Sequence, residues 1–165
     1  MALSESFIAE LEQEAGATRR VLERIPEDKL AWRPHPRSFS LGQLALHVAT
    51  IPGNVSQLAM QSMTAVPEFV QAEAESRAEV LDAHEASVEA GKAALASWTD
   101  PDLMEQWTLS VNGDVKMAMP RVGLLRAIMF NHLYHHRGQL LVYLRLLEVP
   151  VPAVYGVSAD ENPLA

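Results

Sequence analysis

The 165-residue chain predicts an all-α fold, a four-helix bundle with a small β-hairpin between helices 3 and 4. Four long segments place apolar residues at helical spacing between connections marked by proline and serine. An Asn112-Gly113 pair then separates two β-tolerant runs just ahead of the last segment, the strongest short hairpin signal a sequence carries.

The first helix is predicted from about Ser4 to Ile25, with Ser4 or Ser6 as its cap. Phe7, Ile8, Leu11, Ala15, Leu22 and Ile25 mark its inner face, and Pro26 ends it. Pro34 and Pro36 exclude a regular helix from the connection 26–39. The second helix is predicted over Leu41 to Met63, capped by Ser38 or Ser40, with a kink or local break at Pro52. Leu44, His47, Val48, Ile51, Val55 and Leu58 form its stripe.

The third helix is expected from Pro67 or Glu68 to Trp98, with Val70, Val80, Leu81, Val88 and Leu95 inward and Thr99 to Asp102 as its stop. Hairpin strands follow at Trp107 to Val111 and Asp114 to Met119. Trp107 is expected to anchor the hairpin, and Trp32 the earlier loop. Pro120 opens the last helix, which runs to about Leu147, and the tail 153–165 is expected to be irregular.

The length suits one domain, residues 1–165, able to bury about two-thirds of its unfolded surface. With no cysteine, neither a disulfide nor a protein thiolate is available, which fits a reducing compartment. No signal-peptide core and no span-length apolar run is present, so a soluble cytoplasmic protein is expected. A formal charge of −8 repels a phosphate backbone and argues against a nucleic-acid partner.

Chemistry concentrates in the histidines. His132 and His136 lie one turn apart, on a stripe continued by Leu125, Met129, Leu140, Tyr143 and Leu147. His47 sits on the apolar stripe of the second helix. If the two stripes face one another, three neutral nitrogens converge. Imidazolium groups would repel there and neutral rings would each need a partner, whereas a divalent cation answers both demands. A structural role with both ring nitrogens on carbonyls is the alternative. His135, on a less apolar stripe, is the second choice as ligand, expected to flank the site. His35 and His84 are expected at the surface. The HxxxH spacing lacks the glutamate of HExxH, so a zinc peptidase is not indicated. Three nitrogens leave coordination positions open, as in catalytic sites, and zinc, nickel and ferrous iron all suit them.

Several stretches carry a resemblance. Ile25-Pro26-Glu27-Asp28-Lys29-Leu30-Ala31-Trp32-Arg33-Pro34 and Ser38-Phe39-Ser40-Leu41-Gly42-Gln43-Leu44-Ala45-Leu46-His47 resemble the signature of the DinB-like family, of the YfiT/DinB type. So do His132-Leu133-Tyr134-His135-His136-Arg137-Gly138-Gln139-Leu140 and the tail from Pro152 to Glu161. The resemblance implies an up-down-down-up bundle holding a divalent metal through three histidines, here His47, His132 and His136. It also implies metal-dependent transferases that use low-molecular-weight thiols such as bacillithiol or mycothiol, one relative being an isomerase.

Other residues carry two readings each. Arg137 suits a structural ion pair better than an anionic-substrate contact. Gln139 suits orientation of a ligand or water as well as a plain surface role. Asp160 and Glu161 could offer a base if the tail covered the site, and are otherwise solvated. Tyr143 and Met129 suit the core, while Met60 and Met63 suit gap filling or the lining of a flexible pocket. The expected function is a metal-dependent small-molecule transferase of thiol S-transferase type, or a hydrolase. The competing expectations are a non-enzymatic metal-binding or stress-response protein and a metal-free homodimeric interaction bundle.

Overall fold

The computed structural model describes residues 2–66 and 70–164. Helix α1 spans Leu3–Leu22. Its cap differs from expectation: Ala2 precedes the first turn and donates its N–H to Glu5 at 2.9 Å, while Ser4 lies inside the helix and is buried. Phe7, Leu11, Leu22 and Ile25 are buried as their spacing predicts, but so are Glu14 and Thr18.

Helix α2 spans Leu41–Ala59. Ser40 and Gln43 form a reciprocal cap, each side-chain oxygen accepting the other residue's N–H at 3.0 Å. The helix stays unbroken through Pro52, and α3, Arg77–Ala96, supplies a partner beside it. The Gly53 N–H, which a regular helix would give to Ala49, goes to Ser87 Oγ at 2.8 Å. The Ala49 carbonyl, near the His84 ring, raises the proton affinity of that ring. His84 Nε2 also meets the Ala15 carbonyl at 3.1 Å. His84 is therefore 3 % exposed, against the surface position expected of it. It ties α3 to α1 through the Ala15 carbonyl.

α2 ends at Ala59, earlier than Met63, because its last carbonyls are taken by other elements. Arg121 Nε donates to the Ala59 carbonyl at 2.9 Å, and Trp107 Nε1 donates to Leu58 and Gln61 carbonyls. Residues 60–66 then leave the helix, and Met63 pairs in parallel with the hairpin. The expected start of the third helix at Pro67 or Glu68 lies outside the described residues. Residues 70–75 are not helical, Val70 is exposed, and Ser76 caps α3 by accepting the Glu79 N–H at 3.0 Å. The late start follows from topology. α2 and α3 run parallel, so the chain must travel the length of the bundle between them.

Thr99 does not merely stop a helix. It caps a short α4, Asp100–Met104, in a reciprocal pair with Asp102. Strands β1, Gln106–Val111, and β2, Asp114–Pro120, are antiparallel and joined through Asn112 (φ 54°) and Gly113 (φ 86°). Two successive positive φ values are what a two-residue hairpin turn needs. Trp107 is buried and pins the hairpin to the end of α2, while Trp32 packs edge-on against Tyr143.

The last helical rod comprises α5, Arg121–Leu124, a π-helical stretch Leu125–Asn131, and α6, His132–Leu146. The π stretch was not predicted. It moves the deepest face of the rod onto Phe130, Leu133, Arg137, Leu140 and Leu144, and leaves His132 and His136 at its margin.

Cross-helix contacts fix an up-down-down-up order. His84 reaches Ala15 while Lys92 pairs with Glu12, so α1 and α3 are antiparallel. Gly42 abuts Ala74 and Gly53 abuts Ser87, so α2 and α3 are parallel. Arg126 meets Glu10 and Arg137 meets Thr18, so the last rod parallels α1. His47 meets His132 and Ser56 meets Met129, so it opposes α2.

The irregular tail is strapped to the bundle. Glu161 pairs with Arg20 and Arg24, and Asp160 pairs with Arg145. These two acids also accept the N–H groups of Ala153 and Val151, so both are structural and neither serves as a free base. No helix among the described residues is long and apolar enough to cross a membrane.

Candidate metal centre

α2 and α6 bring His47, His132 and His136 together, one ligand atom from each lying within 4.8 Å of the others. His47 Nε2 and His132 Nε2 are 3.3 Å apart. Ring centroids are 4.5 Å apart for His47–His136 and for His132–His136. The helical spacing that singled out His132 and His136 places both on the flank of α6 that faces α2. Among the described residues no fourth acidic or histidine side chain joins the group. His135 is outside it, exposed, with its ring 4.9 Å from that of His136. His35 is exposed in its loop, as expected.

Two of the three rings have a neutral glutamine partner on their outer side. The oxygen of Gln139 can only accept, so His136 donates through Nδ1 at 2.8 Å and keeps its Nε2 lone pair for a cation. The Gln139 amide nitrogen, 3.1 Å from His135 Nε2, is a donor to that ring. Gln71, carried by the crossover, hydrogen-bonds the His47 side chain. His132 Nδ1 is buried without a partner at full hydrogen-bond geometry, yet the Ile128 carbonyl one turn back raises its proton affinity. That carbonyl belongs to the π stretch, where an additional residue per turn re-aims backbone groups.

The electrostatics favour neutral rings. Burial is the main cause pushing His47 down to about 4, and the neighbouring His136 and His132 add to it. His132 and His136 are lowered chiefly by burial too. Three neutral imidazoles with lone pairs converging and no acid among them form a donor set that fits zinc, nickel or ferrous iron.

A cavity of about 440 Å³ opens beside His47 and His132. Met63 helps to line it, as one of its two sequence readings allowed, whereas Met60 is exposed. Arg137, next to His136 in sequence, points the other way. It is 1 % exposed and pairs with Glu14 at 2.6 Å, also touching Thr18 and Tyr155. It is the structural ion pair that the sequence favoured. The outer role of Gln139 was foreshadowed by its position three residues after His136. Gln71 was not legible, because nothing local links the crossover to α2.

Comparison with known proteins agrees with this architecture. The model of the DinB family matches residues 1–163. The uncharacterized protein YrdA of Bacillus subtilis (strain 168) is 26% identical over 155 residues, 94% of this chain and 89% of its own. A DinB-like protein from Bacillus cereus ATCC 10987 superposes with a TM-score of 0.68 at 25% identity, covering 92% of this chain and 97% of that one. The DinB-like protein YjoA from Bacillus subtilis gives 0.66 at 18% identity, over 87% and 92% of the two chains. A family match across nearly all of the sequence, on a bundle of the same fold, establishes that the chain belongs to the DinB family.

Proposed function

We propose that His47, His132 and His136 ligate a divalent metal ion and that the protein is a small-molecule enzyme, a thiol S-transferase in type or else a hydrolase. The observation that carries this is the convergence of three neutral imidazole nitrogens, with no fourth acidic or histidine side chain in the group among the described residues, at the wall of an open cavity. A purely structural site would be closed by four protein ligands. A metal bound there supplies Lewis-acid activation, lowering the pKa of a thiol or of water toward neutrality.

The chain's own residues supply the rest. Gln139 and Gln71 hold two of the rings in place, and the cavity holds the electrophile. With no cysteine in the chain, a thiol nucleophile has to come from a small molecule. Exposed Val142 and Leu146 on α6 support a homodimer, which light scattering would test. The absence of cysteine supports a cytoplasmic setting.

Elemental analysis of untagged protein tests the metal. Turnover of a panel of alkyl halides, epoxides and esters, with and without added thiol, then separates transfer from hydrolysis. A protein that takes up no zinc, nickel or iron and shows no metal-induced rise in melting temperature overturns the reading.

A further inference from the structure

The cavity beside the histidines has a chemical character of its own. Its apolar wall is formed by Ile51, Val55 and Leu58 of α2, Met63 of the crossover and Ile128 of the π stretch. Among the described residues, no lysine, arginine, aspartate or glutamate lines it. The remaining polar groups, apart from His47 and His132, are the carboxamides of Asn54 and Gln57, which are neutral and can both donate and accept.

We infer that this cavity receives the uncharged, apolar body of the substrate, an alkyl or aryl group carrying at most a neutral polar function such as a carbonyl, ether or hydroxyl. The inference rests on the metal reading above and names the substrate class for that site. Three physical points carry it. A volume of about 440 Å³ lies within the span of small-molecule sites and far exceeds a water or a methyl group. Burying an ionised group against aliphatic walls with no counter-ion is strongly unfavourable, whereas burying methylenes there is favourable. The two carboxamides would pair with a neutral oxygen without requiring a charge on it. A thiol cofactor bearing carboxylates would consequently approach the histidines from a side other than this cavity. The division of labour is then a charged nucleophile donor outside and a greasy electrophile inside.

Straight-chain alkyl hydroxamates test this, because the head group binds a metal while the tail explores the neighbouring space. Calorimetry on the full-length zinc-loaded protein would compare acetohydroxamate with its butyl, hexyl and octyl homologues. The expected result is a Kd that falls about fourfold per methylene until the cavity is filled. A chain of equal length ending in a carboxylate should bind no more tightly than acetohydroxamate. Leu58→Trp should abolish the chain-length gain while leaving zinc content and acetohydroxamate affinity unchanged. Leu58→Ala should carry the gain to longer chains. A Kd independent of chain length, or tighter binding of the carboxylate series, overturns the inference while leaving the metal reading intact. A protein that cannot be loaded with zinc, nickel or iron overturns both.

Discussion

His47 Nε2 and His132 Nε2 face one another at 3.3 Å from antiparallel helices 85 residues apart in the chain. Two neutral lone pairs at that distance repel unless a proton or a cation lies between them. A ligand in that position therefore bonds α2 to α6, and its energy is felt by the whole bundle.

Saturation with zinc at a hundredfold excess over Kd should stabilise the protein by about 2.7 kcal/mol. That corresponds to a rise in Tm of about 5–10 °C for a chain of this size. His47→Ala and His136→Ala should each abolish the rise in differential scanning fluorimetry. His135→Ala should keep it, because His135 lies outside the cluster. Equal loss in all three variants would contradict the assignment.

The metal-free protein should lose stability as pH falls from about 6.5 to about 4. The unfolded chain binds protons near 6.5, whereas folded His47 is held down to about 4, and His132 and His136 are shifted the same way. Inside that window the unfolded state takes up protons that the folded state refuses, so the contribution is fully present above it and gone below it. Urea titrations of wild type and His47→Gln across this range should show a shallower slope in the variant. An unchanged slope would refute the link.

Gln139 fixes which nitrogen of His136 is free. Gln139→Ala should weaken zinc affinity about 10- to 100-fold, the usual cost of removing an outer partner. Gln139→Glu should preserve affinity, since a carboxylate accepts the same Nδ1–H. Both variants should melt like wild type when metal-free, because Gln139 is exposed. Competition against a chromophoric chelator gives the affinities, and equal values for Ala and wild type would exclude the role.

Arg137 and Glu14 are paired at 2.6 Å with almost no solvent contact. Arg137→Met leaves Glu14 buried without its partner and should cost about 3–5 kcal/mol. Adding Glu14→Leu should recover much of that loss. Chemical denaturation measures both. A mild effect in the single variant would mean that the pair is not what holds α6 against α1.

The histidine trio was readable because its cause is local geometry: His132 and His136 are four residues apart, and His47 lies on an apolar stripe. Asn112-Gly113 fixed the hairpin for the same reason. The features that escaped depend on what distant elements do. His84 looked like a surface residue on a helix rich in Ala and Glu, and it is buried because its ring packs against α1, where Nε2 meets the Ala15 carbonyl. Val70 looked like a core position, and it is exposed because parallel α2 and α3 require a long crossover. Gln71 reaches His47 only through that crossover.

The π stretch Leu125–Asn131 carries a residue that a regular helix would not need. One residue turns a helix by about 100°. Rewound as uninterrupted α with every residue kept, the rod would therefore swing His132 and His136 by about that angle out of alignment with His47, whereas excising exposed Ala127 removes the surplus residue and keeps their phase. Circular dichroism of that deletion should register the same helicity, and calorimetry should still register zinc uptake. At fixed length, local regularity and convergence are thus opposed in this rod: the irregular winding sets the angular phase of two imidazoles, and smoothing it without losing a residue would part them from the third.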